Sequence, residues 1–160
     1  MRLKGGTPVL RHLGYVFLIS MVPVIELRGA IPVGLGMDLP FWLTFLAAYL
    51  GNLLPVPFLI LFTRQIFSFL RRHSRVLGQL VERLERKAAS KEKLLKRYEM
   101  LGLCVLVAIP LPGTGAWTGA MVAAFFDIRL KNAFPVIALG VFIAGVIVSF
   151  VTYGVSIFLL

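Results

Sequence analysis

Apolar residues fall in four long stretches, at 13–39, 40–63, 100–126 and 133–160, and one polar stretch at 64–99 divides them into two pairs. A helix that spans a membrane needs about 20 predominantly apolar residues, about 30 Å at 1.5 Å per residue. Residues 40–63 meet this, with Asn52, Pro55 and Pro57 as irregularities, and residues 133–160 meet it without a charge. Both read as spanning helices. The other two stretches are interrupted at their centres. Residues 13–39 carry Glu26 and Arg28 in the middle, among Pro23, Gly29, Pro32, Gly34 and Gly36. Residues 100–126 are uncharged until their end, but Ile109-Pro-Leu-Pro-Gly-Thr-Gly115 cuts them in half. Proline removes a backbone donor and clashes with the preceding turn, and glycine permits the reversal that follows. Each half has about 12 residues, about 18 Å of helix, too short to cross. Two readings stand: a re-entrant helical hairpin at each place, or one kinked spanning helix.

Composition agrees with a membrane protein. Of 160 residues, 59% are apolar and 15% charged, against about 45–50% and about 25% in ordinary soluble domains. Too little polar surface exists to cover a water-soluble particle, so a soluble enzyme is excluded and no enzymatic activity is expected. A single cysteine, Cys104, cannot form an intramolecular disulfide, and His12 and His73 stand apart from any ligand cluster. No metal spacing, cofactor fingerprint or Ser/His/Asp set is present, so neither a metal nor a cofactor is expected.

The net charge of +10 sits mainly in residues 64–99, with eleven Lys or Arg against four acids. Basic loops remain in the cytoplasm, which places this segment inside a plasma membrane. Leu77, Leu80, Val81, Leu84 and Ala88 recur at helical spacing within it, so it reads as a basic amphipathic helix. A solvated charged helix is one reading of it, and a helix lying on anionic lipid head groups or pairing with a second copy is the other; nucleic acid is not an expected partner.

The two halves are weakly similar. A shift of 89 positions lays Pro23 on Pro112, Ala30 on Gly119, Asp38 on Asp127 and Gly51 on Gly140. Each half then runs broken hairpin, acidic residue, long span. One span per half gives the halves opposite orientations, the inverted-repeat design of many secondary transporters, whose sites lie at broken helices near the midplane. The expected fold is therefore an all-α integral membrane protein, one domain over 1–160. It comprises a first repeat 1–63 (hairpin about 13–39, span 40–63), the basic segment 64–99, and a second repeat 100–160 (hairpin about 100–126, span 133–160). The small residues Gly140, Ala144 and Gly145 offer a contact stripe for a homodimer.

Candidate chemistry gathers at the breaks. An ionisable residue at membrane depth costs several kcal/mol (about 2.5–3.5 on insertion scales) and points to function. Glu26 suits proton exchange, and Asp38 is a second candidate for proton coupling. Helix capping or an interfacial position is the alternative for Asp38 and Asp127. Arg28 suits a forked grip on phosphate or carboxylate. An internal Glu26–Arg28 pair pinning the hairpin is the structural alternative. Gly29 and Pro32 complete that break. In the other, Pro110, Pro112, Gly113, Thr114, Gly115, Trp117 and Thr118 are candidate substrate contacts, since backbone N–H groups at a helix start hold anions. Gly115 and Gly119 equally form a Gly-xxx-Gly packing pattern. Asn52, inside a span, is a substrate contact or an interhelical hydrogen-bond partner.

The segments Pro23-Val-Ile-Glu-Leu-Arg-Gly-Ala-Ile-Pro32 and Ile109-Pro-Leu-Pro-Gly-Thr-Gly-Ala-Trp-Thr-Gly119 together resemble the putative small multidrug export protein family, over nearly the whole chain. More loosely, the chain is similar to the DedA/VTT superfamily, which implies two re-entrant hairpins and proton-dependent translocation of undecaprenyl phosphate. Glu26 and Asp38 match that superfamily's first hairpin, whereas Val107 and Gly113 stand where its second hairpin carries arginines. Three functions follow as expectations. The first is a proton-coupled flippase for an anionic lipid such as undecaprenyl phosphate, held by Arg28 and the Gly113–Gly119 backbone. The second is export of lipophilic cations at Glu26 and Asp38, with Phe41, Trp42 and Trp117 as stacking faces. The third is a membrane scaffold that transports nothing.

Overall fold

The structure, a computed structural model, describes residues 6–73, 92–111 and 113–158. Most of the basic segment, including the amphipathic pattern at 77–88, lies outside the described residues, as does Pro112. The described residues form seven helices: α1 (Gly6–Met21), α2 (Glu26–Gly36), α3 (Phe41–Leu53), α4 (Pro55–His73), α5 (Glu92–Ala108), α6 (Ala116–Phe125) and α7 (Leu130–Phe158).

Helices α3 and α4 are almost one rod. Leu54 between them keeps helical angles and donates to Leu50 O at 3.0 Å. Pro55 and Pro57 have no N–H to return to Gly51 O and Leu53 O, so the ladder is interrupted there without the chain turning away. Residues Phe41–Ile66 and Leu130–Gly154 are long and apolar enough to cross a membrane, and only 33% and 39% of their apolar windows are buried. The core helix of a soluble protein would bury most of such a surface. Here Leu46, Leu50, Phe58, Phe62, Leu139 and Phe150 stay exposed, which suits a lipid surround.

At each Pro/Gly break the chain reverses. Val16 of α1 lies against Gly34 of α2, and Thr44 of α3 meets the same glycine. Farther on, Ser20 and the Phe17 carbonyl press on Gly51. So α1 runs parallel to α3, and α2 returns antiparallel to both. The second half repeats this. Glu99 of α5 borders the same cavity as Ile128 and Lys131 at the start of α7, while Cys104 O and Val107 press on Gly140 farther along. Close approach of backbones explains glycine at 51 and 140, because a Cβ at either would strike the neighbouring helix backbone. The apolar length at 13–39 and 100–126 understates the first arms, which extend outward to Gly6 and Glu92.

Helices α3–α4 and α7 pair antiparallel. Phe41 meets Tyr153 with ring centroids 5.6 Å apart, Tyr49 donates to Ala138 O at 3.2 Å, and Arg64 reaches Ile128 O at 2.6 Å. Each short helix also packs on the long helix of the other half, α2 on α7 and α6 on α4. The core is an interlock of small and branched residues, with Leu27, Ala30, Ile31, Ala48, Val56, Ile60, Ala116, Ala120, Ile137 and Val141 all essentially inaccessible. Gly140, Ala144 and Gly145, expected to face a second copy, are buried within the chain, with Gly145 against Phe45 and Leu27.

Candidate functional site

The two breaks meet halfway along the long helices. From Glu26, α2 runs 11 residues toward Phe41, and from Ala116, α6 runs 10 residues toward the opposite end. Each covers about 15–16 Å at 1.5 Å per residue, half of an apolar membrane core. The breaks therefore touch near the middle of the molecule.

Backbone strain marks the first break. Val24 has φ 78° and Glu26 φ 49°, left-handed values that cost a branched or bulky residue about 1–3 kcal/mol. This twist carries the Glu26 side chain out of its own helix and across to the other half. There Oε1 accepts from the Trp117 N–H at 3.2 Å, in the first turn of α6. A carboxylate at a helix N-terminus receives orphan donors and the positive end of the dipole. Gly115 has φ 123°, and a Cβ there would collide with the Glu26 carboxylate. Glu26 is 2% exposed. Its second oxygen, Oε2, is buried with no partner among the described residues. The Trp117 indole N–H donates to Met21 O at 3.2 Å, tying α6 to the end of α1.

Arg28 grips the opposite break from within α2. Its two terminal nitrogens donate to Leu111 O, to Thr114 O at 3.0 Å, to Ile109 O at 3.1 Å and to Thr114 Oγ1 at 3.0 Å. Four of its five N–H donors are thereby engaged, and Nε is buried and unpartnered. These acceptors are carbonyls left over beyond the C-terminus of α5, where a cation is favoured. The Thr114 hydroxyl has one proton for Ile109 O at 2.7 Å or Leu111 O at 2.8 Å, and Thr118 donates to Gly113 O at 2.8 Å. So Glu26 caps the helix that leaves the second break, and Arg28 caps the helix that enters it. Each bonds across the molecule, which replaces the expected internal pin of the first hairpin with a tie between the two hairpins.

The remaining expected residues fall elsewhere. Gly29 lies in the first turn of α2, and Pro32 is exposed on its second. Pro110 and Gly113 are exposed within the second break. Gly119 is a packing contact against Val107 and Ile137. Asp38 sits beyond the far end of α2 from Glu26, exposed, with φ 58°. Asp127 takes the equivalent place after α6, with φ 54°. Neither caps a following helix: Pro40 precedes α3 without a side-chain cap, and Asp127 instead pairs with Arg64 at 3.1 Å. Asn52 is wholly buried, and neither atom of its carboxamide has a partner among the described residues, so the expected interhelical bond is not made here. The sequence reading counted Arg64 only within the basic segment and overlooked it as the partner of Asp127. It also overlooked the carbonyls of Ile109 and Leu111, which no side-chain pattern reveals.

The described residues form helices and turns only, with two apolar helices of membrane-spanning length and an acid and an arginine held at the meeting of two helix breaks, features that suit a small membrane protein. The chain belongs to the family described as "Putative small multi-drug export protein", whose model matches residues 26–147. No curated protein matches it, and no solved structure does. The matched region begins at Glu26 and includes Arg28, the second break and the Arg64–Asp127 pair.

Proposed function

We propose that the chain is a proton-coupled exporter of lipophilic cations in the plasma membrane, acting without chemical conversion of its cargo. Glu26 is the exchange group. The observation that carries this reading is the unequal state of the two central charges. Each keeps one buried atom without a partner among the described residues, Glu26 Oε2 and Arg28 Nε. But Arg28 has both terminal nitrogens occupied by four oxygens of the second break, whereas the Glu26 carboxylate accepts from the Trp117 N–H at one oxygen and leaves the other open. A carboxylate with a vacant acceptor takes a proton or a cation in turn, and an arginine whose terminal donors are held by carbonyls is fixed in place with its charge solvated by their dipoles. The family description names drug export and fits the same reading.

The reading includes two re-entrant hairpins and an inverted repeat. It is supported by the reversal at each break, by the antiparallel long helices and by contacts between positions 89 apart. The basic segment 64–99 then lies in the cytoplasm, at the end where Arg64 joins Asp127 and Ile128 O. Release toward either side requires the ends to open in turn. A homodimer remains part of the proposal, using surface other than the stripe buried inside the chain.

A second reading, translocation of an anionic lipid such as undecaprenyl phosphate, draws on a cavity of about 850 Å³ at the basic end. Arg129, Lys131 and Asn132 border it together with the acids Glu99 and Asp127, and Arg28 would exchange its carbonyl oxygens for phosphate oxygens. Proteoliposomes with an imposed proton gradient separate the two. Uptake of tetraphenylphosphonium that collapses in Glu26→Gln supports cation exchange. Unchanged uptake in that variant refutes Glu26's role, and proton-driven flipping of a polyprenyl phosphate that is lost in Arg28→Ala favours the lipid.

A further inference from the structure

We infer that an aromatic groove between the start of α3 and the end of α7 is a binding site for lipophilic organic cations entering from the membrane, a step that rests on the export reading for its purpose. Phe41, Trp42 and Phe45 on α3 face Phe142, Phe150 and Tyr153 on α7 around a cavity of about 420 Å³. That is the size of a drug-binding pocket, about 300–1,000 Å³. No polar surface lines it among the described residues. The Ser149 hydroxyl is spent on Gly145 O at 2.7 Å, and the indole N–H of Trp42 and the hydroxyl of Tyr153 are the other polar groups of the lining residues.

The rings hold one another in edge-to-face and tilted contacts. Phe41 meets Trp42 at 5.2 Å, Phe45 at 5.9 Å and Tyr153 at 5.6 Å, and Phe45 meets Phe142 at 5.8 Å. Such packing leaves ring faces open, and ring faces attract cations. Trp42 is 77% exposed and Phe150 75%, so the groove opens to the surrounding lipid. It lies at one end of both long helices, the interfacial depth where Trp and Tyr gather and where lipophilic cations enter a membrane.

Charge selects the occupant. Asp38 is exposed and precedes Phe41 by three residues, which bounds their separation at about 11 Å from 3.8 Å per Cα step. By the same 89-residue relation the counterpart of the Arg64–Asp127 pair is Tyr153 with Asp38. At the basic end the acid is matched by an arginine at 3.1 Å. At the groove end that relation puts a tyrosine in the place of the arginine, and Asp38 has no ion pair among the described residues. Rings in the groove and an exposed carboxylate three residues from Phe41 fit an aromatic or quaternary cation and disfavour an anion of the same shape.

Trp42 and Trp117 are the two tryptophans of the chain, so Trp117→Phe makes Trp42 the sole indole reporter. In neutral detergent, tetraphenylphosphonium should quench Trp42 saturably. Phe150→Ala should weaken binding about tenfold and Asp38→Asn about threefold, in the range of a partly desolvated cation–π contact and a nearby charge. Tetraphenylborate, equal in shape and opposite in charge, should bind at least tenfold more weakly. Equilibrium dialysis of tetraphenylphosphonium on the unsubstituted chain, with Phe150→Ala beside it, gives the same comparison independently of Trp117. Equal binding of the two ions, or indifference to Phe150→Ala, overturns the inference. Loss of Trp42 quenching in Glu26→Gln also overturns it, since the cation would then sit at the midplane. Groove binding without any proton-driven uptake would leave this site standing and remove the export reading.

Discussion

The Tyr49 hydroxyl donates to the carbonyl of Ala138 at 3.2 Å, and the two residues are 89 positions apart. The same offset separates Glu26 from Gly115, whose backbone lies against the Glu26 carboxylate. At both contacts one partner brings a side chain with chemistry and the other is a small residue that makes room for it. Replacing Tyr49 with Phe removes the bond to Ala138 and should cost about 0.6 kcal/mol, the average for interhelical bonds in membrane proteins. Thermal unfolding in detergent measures it.

The room at Gly115 is obligatory. Gly115→Ala should destabilise the protein by more than about 1 kcal/mol, because it adds a left-handed penalty to a collision with a buried acid. Combining it with Glu26→Ala should recover the collision part and leave the conformational part. Melting temperatures of the two variants separate these contributions.

Glycines 51 and 140 test the helix approach. Gly140→Ala should lower stability by about 1–3 kcal/mol, since its Cβ would lie 2.7 Å from Val107 Cβ and 2.9 Å from Cys104 O. Trimming Val107 to Ala should rescue only part, because the carbonyl cannot move aside. Gly36→Ala, which meets nothing within 4 Å, is the neutral control in the same melts.

Arg28→Lys keeps the charge and loses the fork. A lysine ammonium cannot reproduce four bonds to Ile109, Leu111 and Thr114. The variant should therefore loosen the second break, seen as faster hydrogen exchange at the amides of 113–118, even where the net charge is unchanged. Retention of wild-type protection would show that charge alone holds the break.

The Arg64–Asp127 pair is partly solvated, with the Asp127 side chain 73% exposed. A double-mutant cycle with Arg64→Ala and Asp127→Asn should give a coupling of only about 0.2–1 kcal/mol. A larger effect on uptake than on stability would mark it as a gate that opens during the cycle.

Much of this molecule follows from the order of its residues. A span without charge at 133–160, a span with two prolines at 40–63, and Pro/Gly breaks around Glu26 and at 109–115 fix where helices can and cannot run, because backbone donors and apolar length are local properties. The membrane character and the family follow from the same features. What the order of residues leaves open is direction and partner. Glu26 and Arg28 are two residues apart, and nothing local decides whether they bond to each other or to a segment more than 80 residues away. Tertiary packing decides it. Each short helix lies on the long helix of the other half, so the two breaks are brought face to face, and a buried acid and an arginine each find the opposite end of a helix dipole. The groove has the same origin. Phe45, Phe142, Phe150 and Tyr153 are unremarked in an apolar run until antiparallel pairing of α3 with α7 sets them opposite one another.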